Sequence, residues 1–130
     1  MSKNGNLIST LSQVLRNFQA TTPGVTGSGV ISADGFTIAS ELPTSIEEQR
    51  VAAMAAAMLA LGEQTTHEFS QGALQRVFVE GERGHIIVIN AGAESILSAV
   101  VRKDAKLGLV FLQMQRAAES IRRAMNGHGS

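Results

Sequence analysis

The residues of this 130-residue chain that could do chemistry are few and far apart. His67, His85 and His128 are its three histidines. No two stand at metal-ligand spacing, and cysteine is absent, so thiolate metal sites and disulfides are excluded. Each histidine reads as a surface or turn residue. Ser28 lies between two glycines, but a nucleophile elbow needs Gly-x-Ser-x-Gly leading into a helix. Gly24, Gly27 and Gly29 open a strand-like run instead of joining a strand to a helix, so they read as close packing or strand bending, not as a dinucleotide loop. There is no Gly-x-x-x-x-Gly-Lys-Ser/Thr run to cradle nucleotide phosphates. The pattern assembles no catalytic site, no metal site and no cofactor site, and the chain reads as a non-enzyme.

The cations call for the same weighing. Arg50, near the start of an Ala-rich helix, could contact an acidic partner or cross to a second copy. A guanidinium aimed at a transferring phosphate is the sharper reading. Nothing in the sequence prefers Arg50 over Arg76 or Arg83 for that role, so a solvated or ion-paired arginine is the reading adopted. The cluster Arg102-Lys103-Asp104-Ala105-Lys106 reads as a solvated strand-to-helix connection. Arg122-Arg123 suits the negative end of a last helix.

Composition points the same way. Lys+Arg 11 balances Asp+Glu 11, which argues against a broad electrostatic footprint for nucleic acid or anionic membrane. Five Phe with neither Trp nor Tyr leave few stacking platforms for single strands. The polar start and the short Ala-rich stretch, bounded by Glu47, Glu48, Arg50 and Glu63, predict neither a signal peptide nor a membrane span. The expectation is one cytoplasmic domain over residues 1–130, with short polar tails at 1–5 and 126–130.

The elements that must position these residues follow from periodicity. Leu7, Leu11, Val14, Leu15 and Phe18 predict a first helix ending before Thr21. Residues 25–32 and 36–42 read as two strands joined by Asp34-Gly35, a hairpin signal that would place both residues at positive φ. Residues 74–80 alternate, with Gln75, Val77 and Val79 on one side and Leu74, Arg76 and Phe78 on the other. Residues 86–89 and 96–101 are apolar on both faces, so their sheet is predicted to be covered on both sides. Leu107, Val110, Phe111, Met114, Ala117, Ala118 and Ile121 mark a last helix. The order is helix, two strands, helix, three strands, helix. That is an α+β fold, a five-stranded antiparallel sheet with helices on both faces.

The middle helix is the most informative element. Ser45-Ile46-Glu47-Glu48 reads as a capping box, with Pro43 just outside. The run that follows, Val51-Ala52-Ala53-Met54-Ala55-Ala56-Ala57-Met58-Leu59-Ala60-Leu61, has almost no polar side. A helix apolar all round must be covered on more than one side. One cover is the chain's own sheet; the other is expected to be a second molecule. Ala53, Ala57 and Ala60 would let two helix backbones approach closely.

This order and its motifs resemble the roadblock / dynein light-chain family in its stand-alone prokaryotic form. The matching residues are Pro23-Gly24-Val25, Ser32-Ala33-Asp34-Gly35-Phe36 with Ile38-Ala39-Ser40, Val51-Ala52-Ala53-Met54-Ala55-Ala56, Lys106-Leu107-Gly108-Leu109 and Arg116-Ala117-Ala118-Glu119-Ser120-Ile121. The resemblance implies a profilin-like architecture, with the first and third helices on one face and the middle helix on the other. It implies a homodimer that joins third strands and pairs middle helices. Carried over, that interface comprises Arg50, Ala53, Met54, Ala57, Met58, Ala60 and Leu61 on the helix, and Gln75, Val77 and Val79 on the strand. It also implies a partner, a Ras-like small GTPase whose hydrolysis some bacterial members accelerate. A scaffold without effect on nucleotide turnover is the alternative. A small-molecule sensor ranks last, because the Ala/Gly pattern suggests no polar pocket.

Overall fold

The computed structural model describes residues 3–129. Its elements are α1 (Lys3–Thr21), β1 (Val25–Ser32), β2 (Thr37–Glu41), α2 (Glu48–Glu68), β3 (Val77–Glu80), β4 (Gly84–Asn90), β5 (Ser95–Arg102) and α3 (Leu107–Gly129). The fold is α+β. The strands form one antiparallel sheet in the order β2-β1-β5-β4-β3.

Alternation within the strands divides the sheet into two faces. Val30, Ile87, Ile89, Leu97, Ala99 and Val101 point to one face, where Leu11, Leu15 and Phe18 of α1 meet Val110, Met114 and Ile121 of α3. Ile31, Val88 and Ile96 point to the other, against Ala52, Ala55 and Leu59 of α2. Both β4 and β5 are therefore covered on both sides, as their double-sided apolar runs require.

Several local expectations are corrected. The capping box does not form: Glu47 is the N-cap, with no side-chain cap hydrogen bond. The Ser40 hydroxyl on β2 donates to the Glu48 carboxylate at 2.6 Å, so a tertiary contact takes the group that a box would use. Only Gly35 in the β1–β2 turn has positive φ (90°); Asp34 does not. The Gly35 N–H donates to the Ser32 carbonyl at 2.9 Å, and the Ser32 N–H donates to the Phe36 carbonyl at 2.8 Å. This is a three-residue loop, a turn closed by one left-handed glycine, not a two-residue turn. The middle helix starts at Glu48, after the Ser45 that opens the capping pattern, and stops where Ser70 turns left-handed (φ 54°). The third strand begins only at Val77, and α3 runs past residue 126 to Gly129.

Candidate functional site

The region that could serve a partner is α2 with the neighbouring edge of the sheet. The flank of α2 turned from the sheet carries Arg50, Ala53, Met54, Ala57, Ala60 and Leu61, all exposed. Met54 is 51% and Leu61 64% exposed, so two large apolar side chains stand open on this flank. Arg50 has no ion pair among the described residues. Met58 departs from the expectation, being partly buried against the core beneath α2.

β3 is the end strand of the sheet and pairs only with β4. Val79 and Gln75 are exposed, whereas Val77 packs inward beneath α2. Leu74 joins Val77 on that side: a Cβ on Gly62 would lie 3.0 Å from Val77 and 3.1 Å from Leu74. The expected alternation thus fails at Leu74, which precedes the strand, and holds at Arg76, which shares the Phe111 side with Phe78. Sequence reasoning also missed Ile86 and Val100. Val79 pairs with Ile86 and Ile86 with Val100, so the three form a cross-strand row on the α2 side. The row grades from half-buried Val100 to exposed Val79. The double-sided apolar runs of β4 and β5 were the signal that could have found it.

The opposite side of the same edge is aromatic. Phe78 lies 4.9 Å, centroid to centroid, from the ring of His85 and 6.2 Å edge-on from Phe111. The Arg76 guanidinium sits 4.2 Å above the Phe111 ring. His85 is therefore a buried residue of β4, not the surface or turn residue expected, and its Nδ1 has no hydrogen-bond partner. His67 is exposed on α2; the side chain of His128 lies outside the described residues.

The remaining candidates resolve into structural roles. The buried Ser28 hydroxyl donates to Gln19 Oε1 at 2.5 Å. Gly24 (φ 98°) lets Ala105 of the β5–α3 connection approach; a Cβ on Gly24 would lie 2.5 Å from that of Ala105. Arg102 grips Asp104 through two hydrogen bonds, at 3.1 and 2.8 Å, and holds its carboxyl below the usual range. Lys103 reaches Glu80 at 2.7 Å and lowers that carboxyl likewise. Arg122 and Arg123 both pair with Glu119, well before the end of α3, so the helix-dipole reading is replaced by ion pairs. An open cleft of about 750 Å³, lined in part by Ala60, Glu63, Asn90 and Arg122, lies beside α2 where the sequence suggested no polar pocket. Among the described residues no three His, Asp or Glu gather as a metal site. No helix of the described chain is long and apolar enough to cross a membrane.

A model of the Roadblock/LC7 domain matches residues 11–102, from α1 to the end of β5. The chain belongs to the Roadblock/LC7 family. Uncharacterized protein MJ1340 of Methanocaldococcus jannaschii is 41% identical over 101 residues, covering 78% of this chain and 88% of that protein. Among solved structures, MglB in a tetrameric arrangement superposes with a TM-score of 0.83 at 23% identity, covering 94% of this chain and 92% of that one. A Roadblock/LC7 domain from Streptomyces avermitilis gives 0.83 at 20% identity, covering 88% and 96%. These two likenesses establish the fold alone.

Proposed function

We propose that this Roadblock/LC7 chain is a homodimeric interaction module that binds and regulates a Ras-like small GTPase. The observation that carries the dimer is the bare apolar flank of α2, Met54 and Leu61 with Ala53 and Ala57 between them, on the same face as the open β3 edge. A second copy supplies an identical flank and an identical edge, so both liabilities are closed at once. Small side chains at 53 and 57 let the two helices approach closely. The GTPase reading is supported by family membership, and the absence of a phosphate-cradling loop favours a regulator of nucleotide turnover over its site.

The role assigned to the protein is non-catalytic. It acts on the partner's own switch segments, because nothing in the sequence singles out Arg50 over Arg76 or Arg83 as a phosphate-directed finger. The test is capture of partners from native lysate with the tagged protein, comparing a GTP analogue with GDP. Enrichment of a Ras-like GTPase with the analogue supports a regulator that reads the active state. Equal capture in both states favours a scaffold, and a partner set without any GTPase contradicts the proposal.

A further inference from the structure

Resting on that dimer reading, in which the third strands join as the family resemblance implies, we infer the register of the joint: Phe78 of one protomer faces Phe78 of its partner across the twofold axis. Among the described residues β3 pairs with β4 alone, so its outer backbone groups have no strand partner there. A twofold contact is isologous: each residue meets the one that mirrors it about the axis. Directly opposite residues in an antiparallel pair share a face of the sheet. The axis must therefore pass through a residue pair, and Val77, Phe78 and Val79 are the central choices.

Those choices differ in what they bring together. An axis at Val79 sets Phe78 against Glu80, twice. An axis at Val77 sets Phe78 against Arg76 and Val79 against Gln75. An axis at Phe78 sets ring against ring, Val77 against Val79, and Arg76 against Glu80. In that register Arg76-Val77-Phe78-Val79-Glu80 is its own complement. Aromatic, β-branched and opposite-charge pairs are the cross-strand pairs that stabilise sheets.

The side chains already stand on the faces this register needs. Phe78 and Arg76 both reach Phe111 of α3, and Glu80 sits opposite His85, which also contacts Phe78. Val77 and Val79 lie on the α2 side. Pairing covers Phe78 and Val79, which are 37% and 43% exposed in the single chain. It extends the strand by one residue to Arg76, whose guanidinium then lies between the Phe111 ring and the partner carboxylate. Glu80 retains Lys103, because a carboxylate accepts several hydrogen bonds at once.

Charge reversal tests the register. R76E and E80R each place like charges opposite one another and should weaken the homodimer about tenfold or more, read by sedimentation. Mixed in equal amounts, they should form a heterodimer close to wild-type affinity, because each reversed residue then meets its complement. The mixture isolates the cross-strand pair, since E80R loses its Lys103 contact in either setting. The chain has no cysteine, so oxidative cross-linking gives a second readout. F78C should link to itself, V77C should link to V79C, and V79C should not link to itself. Self-linking V79C, with no rescue in the charge mixture, overturns the register while leaving an edge-paired dimer. A stable dimer in which none of the three positions links overturns β3 pairing altogether. A wild-type monomer removes the dimer reading itself.

Discussion

The two faces of the sheet are covered by the same chain in unequal ways. On one, α1 and α3 lie together over a cluster of large side chains, with Leu11, Leu15, Leu97, Met114 and Ile121 fully buried. On the other, α2 lies alone, offers the sheet Ala52, Ala55 and Leu59, and leaves Met54 and Leu61 outside. Large residues between two helices and a sheet complete a core within one chain. Small residues on a lone helix keep that helix close to the sheet and leave its outer flank for another body. In the proposed dimer, the difference separates what folds the protomer from what assembles it.

Substitutions on the two faces should therefore fail differently. The largest effect belongs to Leu97→Ala at the centre of the two-helix face. Loss of a fully buried leucine should lower chain stability by about 2–5 kcal/mol, seen as a lower denaturant midpoint at every protein concentration. Ala57→Glu should act on assembly instead. A carboxylate without a partner in the helix-helix contact should weaken association by roughly 2 kcal/mol or more, while each chain stays folded. Its melting temperature should then lose the concentration dependence that linkage gives an associating wild type. A fully folded Ala57→Glu dimer would place the contact elsewhere.

The smallest effect sharpens how the β1–β2 turn seats α2. At Gly35 a Cβ would meet Ala53 at 3.5 Å, an ordinary contact, so space is no obstacle. The left-handed backbone is the obstacle. Gly35→Ala should cost about 1–2 kcal/mol in thermal or denaturant unfolding, and a neutral result would show that the turn can reform without positive φ.

How much of this the sequence could reveal depended on whether the deciding contact was local. Two-sided apolar runs announced the buried strands β4 and β5, and the Ala-rich run announced a helix that packs on the sheet through small residues. The capping box was present as a pattern, but Ser40, distant in sequence, engages Glu48. Asp34-Gly35 fits more than one loop length, and the dipeptide alone does not choose. His85 looked like a polar residue at a turn; its burial comes from Phe78 on the next strand. The half-covered row of Val79, Ile86 and Val100 exists only once β3, β4 and β5 are in register.

Sedimentation equilibrium of the unmodified protein across the micromolar range tests the central claim most directly. The account predicts a species of twice the 13.7 kDa chain mass, dissociating on dilution to folded or partly folded protomers. A single-chain mass at every concentration, with Met54 and Leu61 still open to solvent, would contradict it.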